Sequence, residues 1–225
     1  MSELAALHEA IDKAGGTRLR RDPRSPAEVL HGVPALQSAS LDLGEAADLL
    51  RLMAEALLEA KVPRKVQQEC RALLAQDARA LVQQVAARRE PPQSFAAFLA
   101  WKAIARTVRA AEGARGAMCP TCGAPPAMAR LSENARTLCC GLCSTEWRYA
   151  RVGCPYCGSE EPASILEPLE EPAFRIDVCR GCNAYLKTFL GAADPNALSD
   201  WSTLHLDAAC AGRGLRRGGP SLYDL

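Results

Sequence analysis

The first half of the chain shows the three- to four-residue spacing of apolar positions that is typical of amphipathic helices. The segment LGEAADLLRLMAEALLEAKV carries one such stripe, formed by Leu49, Leu50, Met53, Leu57 and Leu58. Pro63 suits the first turn of a second helix that continues to about Arg89. Its apolar positions are Val66, Cys70, Leu73, Leu74, Leu81, Val82 and Val85. Ser94 is a suitable cap for a third helix with Phe95, Phe98, Leu99 and Val108, which Gly113 and Gly116 end.

A short helix near Glu3–Ala14, ended by Gly15 and Gly16, is predicted before these three. The proline-rich segment RLRRDPRSPAEVLHGVPAL is predicted to be irregular. The helices share no motif at a fixed period, so the pattern does not indicate a helical solenoid.

After residue 117 the pattern changes to short alternating segments between glycines and prolines. EWRYARV and AFRIDV are predicted strands, and LSDWSTLHLDAACAGRG is a predicted last helix that Ser199 caps and Gly212 or Gly214 ends. The tail RRGGPSLYDL is predicted to be loosely ordered. The fold class is therefore α+β. It comprises an all-α part (1–115), a first four-cysteine module (116–148), a second module (149–192), and a C-terminal helix and tail (193–225).

The composition and the lengths of the apolar runs limit the class of protein and its expected location in the cell. The 225 residues are 48% hydrophobic and 24% charged, with a formal net charge of +1. No apolar run approaches the roughly 18–20 residues that a membrane-spanning helix needs, and MSELAALHEAIDKAGG has no signal-type apolar core. We therefore expect a cytoplasmic protein, in which cysteine pairs indicate metal or redox chemistry more than disulfides.

Ten of the 11 cysteines follow residue 115, and eight of them form four Cys-x-x-Cys pairs. This spacing lets a tight turn place two sulfurs on one tetrahedral ion, at about 2.3 Å each for zinc. A glycine after the second cysteine, as in CPTCG and CPYCG, supplies the positive φ that such a turn often needs. The pairs are Cys119/Cys122, Cys140/Cys143, Cys154/Cys157 and Cys179/Cys182.

The distances between pairs predict two sites built from neighbouring pairs. Seventeen residues separate Cys122 from Cys140 and 21 separate Cys157 from Cys179, and each gap can hold one β-hairpin. Site one is then Cys119, Cys122, Cys140 and Cys143, and site two is Cys154, Cys157, Cys179 and Cys182. A cross-braced arrangement that joins the first pair to the third stays open. A thioredoxin-like motif fits four repeated pairs poorly, and iron–sulfur clusters more often use irregular spacings.

A closed four-thiolate site has no open position for water, so such a site is structural or transfers electrons. We therefore expect that the protein is not an enzyme. Cys139 is a spare thiol in this interpretation, and Cys70 belongs to the core. His8 and His31 are predicted on a helix surface and in a loop, and His205 has a surface or packing role. The sequence contains no Gly-rich phosphate loop or Ser-centred elbow.

Nucleic-acid binding is an alternative that the local charge disfavours. Residues 115–190 hold eight Lys/Arg and eight Asp/Glu, and each four-thiolate site with a divalent metal adds a charge of about −2. Phosphate backbones need a basic surface, so protein–protein contact is the better interpretation.

Four segments resemble the signature blocks of the FdhE family, the accessory proteins for formate dehydrogenase formation. They are CPTCGAPPAMARL, LCCGLCSTEWRYARVGCPYCG, DVCRGCNAYLKTF and LHLD. The resemblance covers about residues 117–210, whereas the N-terminal helices match only in character.

The resemblance implies a cytoplasmic protein with a helical part and two rubredoxin-like modules, in which the eight paired cysteines hold two metal ions. It implies binding to the catalytic subunit of a respiratory formate dehydrogenase, which needs the accessory protein for activity. The family's association with iron places iron beside zinc as the candidate metal. We name Trp147, Tyr149, Tyr185 and Lys187 as candidate partner contacts. A redox-active electron-transfer or thiol factor is the alternative function.

Overall fold

The structure is a computed structural model that describes residues 3–15, 22–88, 90–108, 116–133, 135–168, 172–191 and 199–223. The chain forms two compact units, residues 1–110 and residues 111–224. None of the described helices has both the length and the apolar character needed to cross a bilayer.

The elements described in the first unit are helices. Its elements are α1 (Glu3–Gly15), α2 (Pro26–Leu30), a 3-10 helix (Ala35–Gln37), α3 (Gly44–Glu59), α4 (Arg64–Leu74), α5 (Ala78–Ala87) and α6 (Phe95–Thr107). Helix α3 is central, because it packs against α1, α4, α5 and α6. The apolar stripe predicted for α3 lies in the core, where Leu49, Leu50 and Met53 are fully buried.

The helix predicted from Pro63 to Arg89 is wrong, because it is two helices. Helix α4 ends at Leu74, and Asp77 begins a new helix. The Asp77 carboxylate accepts hydrogen bonds from the backbone N–H groups of Arg79 (2.9 Å) and Ala80 (3.2 Å) and so caps α5. An aspartate in this position is a recognised start signal that the apolar periodicity hid. Ser94 caps α6 as predicted, accepting the N–H of Ala97.

Three other details of the first unit differ from the sequence prediction. The proline-rich segment is not wholly irregular, because Ser25 and Glu28 form a reciprocal capping box at the start of α2. Helix α6 ends at Thr107, well before the predicted stop; Gly113 lies outside the described residues. His8 is buried against Phe98 instead of lying on a helix surface.

The second unit is built on one sheet with helical and extended segments after it. Its elements are β1 (Pro126–Leu131), β2 (Arg136–Cys140), β3 (Glu146–Tyr149), β4 (Ser164–Leu166), β5 (Phe174–Val178), β6 (Ala184–Leu190), a 3-10 helix (Asp200–Thr203), α7 (Leu204–Gly212) and β7 (Arg216–Arg217). The strand order is β3-β2-β1-β6-β5-β4, and β7 pairs with β6. The predicted strands EWRYARV and AFRIDV correspond to β3 and β5.

The hairpins of both predicted modules thus belong to the same sheet. Strands β1 and β2 form the first hairpin, and β4 and β5 form the second. Strand β1 then pairs in parallel with β6, with Met128 opposite Lys187 and Leu131 opposite Leu190. A parallel pair has both strands beginning at the same end, so the cysteine turns that precede β1 and β6 lie at one end of the sheet.

The prediction of a loose C-terminal tail is wrong. Arg216 and Arg217 pair with Ala184 and Tyr185 of β6, and Ser221 and Leu222 are buried. Buried polar groups need hydrogen-bond partners, and those of the tail bond to a cysteine turn and to a buried carboxylate. The cap predicted at Ser199 is also absent, because its side chain makes no capping hydrogen bond.

Candidate metal centre

The four Cys-x-x-Cys segments fold into the same turn. The N–H of Cys119 donates to the carbonyl of Ala124, and the N–H of Gly123 donates back to the carbonyl of Cys119, both at 2.8 Å. The same two hydrogen bonds recur in the turns that begin at Cys140, Cys154 and Cys179. This backbone closes each turn and brings its two sulfurs together.

The fourth residue after the first cysteine has a positive φ in every turn. Two of these positions are the glycines that the sequence indicated, Gly123 (78°) and Gly158 (75°). The other two are Ser144 (57°) and Asn183 (55°), which the sequence analysis did not identify. Asparagine tolerates this left-handed region better than most residues, so Asn183 was the more recognisable of the two.

The structure groups the eight cysteines by neighbouring pairs and not in the cross-braced arrangement. In each group the four sulfurs lie within 4.8 Å of one another. In site one, Cys119 and Cys143 sulfurs are 3.5 Å apart, and Cys122 lies 3.4 Å from Cys140 and 3.6 Å from Cys143.

Site two has slightly wider sulfur separations. Cys154 Sγ lies 3.8 Å from Cys182 Sγ, and Cys157 Sγ lies 3.6 Å from Cys179 Sγ. A tetrahedral ion with metal–sulfur bonds of about 2.3 Å holds its sulfurs about 3.8 Å apart. Both groups therefore fit a tetrahedral metal ion, and a cage of four thiolates suits zinc or iron.

In each site the surroundings of a cysteine lower its pKa. Burial opposes ionisation of Cys119, but hydrogen bonds from neighbouring thiols, that of Cys122 first, outweigh it and hold the pKa of Cys119 well below its usual value. Burial likewise opposes ionisation of Cys179, but the backbone N–H groups of Cys182 and Gly181 lower its pKa to about 7. A thiolate is the form that binds a metal ion, so each site has a ready first ligand.

The remaining three cysteines lie outside both groups. Cys70 is fully buried in the helical unit, and burial, together with the charge of Glu69, raises its pKa to about 11. Cys139 is buried, and burial raises its pKa well above the usual value. Cys210 is buried on α7. These thiols are packed core residues in the structure.

Three of the four candidate partner contacts lie in the interior. Trp147 is buried and donates its indole N–H to the carbonyl of Gly116 at 2.9 Å. Tyr185 is buried, and Lys187 has no exposed surface. Tyr149 alone is partly exposed, with the guanidinium of Arg136 5.8 Å from its ring centre. The first three are therefore interior residues in this structure.

Lys187 lies at the centre of a buried ionic cluster. Its ammonium donates to Asp200 and Asp207, both at 2.6 Å, and to the hydroxyl of Thr203 at 3.0 Å. Arg217 from the tail donates to both oxygens of Asp200 at 2.8 Å. Tyr185 donates to Asp207 at 2.7 Å and Ser221 to Asp200. This cluster ties β6, the 3-10 helix, α7 and the tail together.

The tail also lies between turns of the two sites. A Cβ at Gly218 would lie 2.0 Å from the ring of Tyr156, which stands between two ligands of site two. The N–H of Leu222 donates to the carbonyl of Gly141, which stands between two ligands of site one, at 3.3 Å. The segment from Gly218 to Leu222 thus contacts one turn of each site.

Comparison with known proteins gives one consistent family. Residues 118–151 match the model described as "FdhE, central domain". Curated proteins named "Protein FdhE homolog" align over about half of this chain. Those of Pseudomonas aeruginosa (32% identical over 119 residues) and Pseudomonas putida (38% over 122 residues) each cover 47% of it. The homologue of Cronobacter sakazakii is 34% identical over 118 residues and covers 48%. The chain covers only 38% of the length of each of these relatives.

The fold extends the similarity beyond the aligned half. The crystal structure of the FdhE protein from Pseudomonas aeruginosa superposes on 97% of this chain and 86% of that one, with a TM-score of 0.71 and 23% identity. At this identity the match shows the fold. The resemblance to the FdhE family that the sequence motifs indicate is therefore confirmed by a family model, by curated relatives and by a shared fold.

Proposed function

We propose that this protein is a cytoplasmic, non-enzymatic accessory factor that binds the catalytic subunit of a respiratory formate dehydrogenase and is needed for its activity or maturation. The observation that carries the proposal is the pair of four-sulfur sites at one end of a single sheet in an FdhE fold. Closed four-thiolate sites leave no position for a substrate or water, which supports a binding role over a catalytic one.

The metal sites support this role by shaping the second unit. Eight cysteines from four turns form two groups that would each hold one metal ion, and each ion would join turns that flank a different hairpin. Binding energy of this kind is also folding energy, because the unfolded chain has no preformed site. The ions then maintain the surface that an immature dehydrogenase subunit contacts.

Iron and zinc are both compatible with the ligands, but only iron would add electron exchange to the role of the site. Cys157 is exposed, so an iron ion at site two would lie close to solvent and could exchange electrons with a partner. This favours a redox-active factor as the second candidate function. Metal analysis beside a visible spectrum separates the two, because iron in four thiolates absorbs visible light and bleaches on reduction, whereas zinc is colourless.

The proposal is tested by co-purification and by activity. The double variant Cys154→Ser/Cys157→Ser removes two ligands of site two, and Cys139→Ala is the matched control because this neighbouring cysteine belongs to neither site. The tagged protein should retain the dehydrogenase catalytic subunit, and a deletion strain should regain formate-dependent reduction of a viologen dye. We expect the control to behave as wild type and the double variant to lose both. Survival of both in the double variant refutes the proposal.

A further inference from the structure

The two metal sites differ in their access to solvent. All four cysteines of site one are buried, with exposed fractions between 1% and 5%. In site two, Cys157 is exposed and Cys182 is half-buried. The cysteines of site two are therefore more accessible to a reagent in solution than those of site one.

The turns of site one are covered by other parts of the second unit. Thr121 and Leu142, which lie between its ligands, have no exposed surface. A Cβ at Gly141 would lie 2.3 Å from the carbonyl oxygen of Pro220, so the tail rests directly on this turn. Reaching a site-one sulfur requires the tail or a turn to open locally, which costs free energy.

The turns of site two lie at the surface. Gly158, which follows Cys157, is exposed, and a Cβ there would meet no heavy atom within 4 Å. Gly181 is also exposed, and a Cβ there would lie 3.8 Å from Cys179 Sγ and 3.9 Å from Cys157 Sγ. A side chain at position 181 would therefore lie against these two sulfurs.

We propose that site two is the exchange site of the protein, at which an incoming thiolate or chelating ligand replaces Cys157, and that site one retains its metal as a structural centre. In this step the bond from Cys157 Sγ to the ion breaks, the bond from the incoming donor to the ion forms, and solvent supplies a proton to the released thiolate. No electron moves. The inference goes beyond the proposed function, because it assigns different tasks to the two metal sites.

The test uses the full chain loaded with zinc at both sites. N-ethylmaleimide is added for increasing times, modification of each cysteine is measured by mass spectrometry, and zinc release to EDTA is followed in parallel. We expect one zinc ion to leave in a fast phase with Cys157 modified first. The second should leave at least about tenfold more slowly with the site-one cysteines, because local opening must come first. Cys70, whose pKa burial raises to about 11, serves as an internal standard for slow modification.

A glycine pair supplies the matched variants. Gly181→Ala adds one methyl group at ordinary van der Waals distance from two site-two sulfurs, and Gly212→Ala adds the same group where no heavy atom lies within 4 Å. Neither glycine has a positive φ, so neither change strains the backbone. We expect Gly181→Ala to slow the fast phase at least about twofold by covering the sulfurs, and Gly212→Ala to leave both phases unchanged.

The outcomes separate this inference from the proposed function. Equal release of both zinc ions, or earlier modification of Cys122 than of Cys157, overturns the inference even when the protein still supports formate dehydrogenase. An unchanged fast phase in Gly181→Ala overturns the access argument. If the protein releases zinc in two clear phases but does not bind the dehydrogenase, the inference stands and the proposed function is refuted.

Discussion

Replacing Lys187 with methionine tests whether the buried ionic cluster stabilises the second unit. The ammonium has no exposed surface and lies 2.6 Å from both Asp200 and Asp207. With Arg217, the cluster contains two positive and two negative groups and is neutral. Lys187→Met keeps most of the side-chain length but leaves a net charge of −1 in the interior.

The expected loss follows from the partners that remain. Removing one member of a buried ion pair costs about 3–5 kcal/mol, because the other charge is left without compensation. Arg217 still donates twice to Asp200 at 2.8 Å and reaches Asp207 at 3.4 Å. We therefore expect the lower end, a loss of about 3 kcal/mol. A single domain is stable by about 5–15 kcal/mol in total, so this is a large fraction.

The assay is urea unfolding at saturating zinc in a Trp101→Phe background, so that fluorescence comes from the tryptophans of the second unit alone. Arg148→Met, an exposed change on β3 of the same sheet, is the control and should stay within about 0.5 kcal/mol of wild type. Adding Asp207→Asn to Lys187→Met restores neutrality and should recover part of the loss. A loss below about 1 kcal/mol for Lys187→Met at an unchanged m-value refutes the reasoning.

Three further predictions concern other parts of the fold. Burial, with the nearby cations of helix α6, lowers the pKa of His8 to about 3, so the unfolded chain binds a proton below pH 6.5 that the folded chain does not. The helical unit should lose about 2 kcal/mol between pH 7 and pH 5, and His8→Leu should abolish this slope in urea titrations at each pH. Gly219→Ala places a Cβ 2.1 Å from the carbonyl oxygen of Pro126 and should destabilise the second unit by about 1–3 kcal/mol in thermal unfolding, whereas Gly212→Ala should not. Asp77→Ala removes the cap of α5 and should cost about 1 kcal/mol by circular dichroism in urea, and an unchanged midpoint contradicts that role.

The sequence predicted best what short-range spacing controls. The turn that joins two cysteines depends on four to six consecutive residues, and the hairpin gaps limit which turns can meet, so the two groups of four could be derived. The helix break at Asp77 was equally local and readable as a cap. Apolar periodicity concealed it, since both helices continue a similar stripe.

The missed features depend on contacts between distant segments. A lysine usually lies at the surface, and Lys187 was named as a candidate partner contact. Its burial requires Asp200 and Asp207, 13 and 20 residues further along, to reach the same point. The ordered tail has the same origin, because Arg217 and Ser221 complete this cluster. The parallel pairing of β1 with β6 is also long-range, and nothing in either strand's pattern specifies it.

The strand order has a consequence for symmetry. Each four-cysteine half contributes three consecutive strands, and β1, the first strand of one half, meets β6, the last strand of the other. The β1–β6 pairing therefore joins the two halves head to tail, so that they are related by a translation across the sheet. Contacts of this kind do not close on themselves, whereas two-fold contacts do. Among the described strands, β3 and β4 lie at the two ends of this order. Their outer edges are therefore of the same two kinds as the edges of β6 and β1 that pair in the middle of the sheet. They are only four and three residues long, and β3 exposes Glu146 and Arg148, which disfavours the addition of a third half from another molecule.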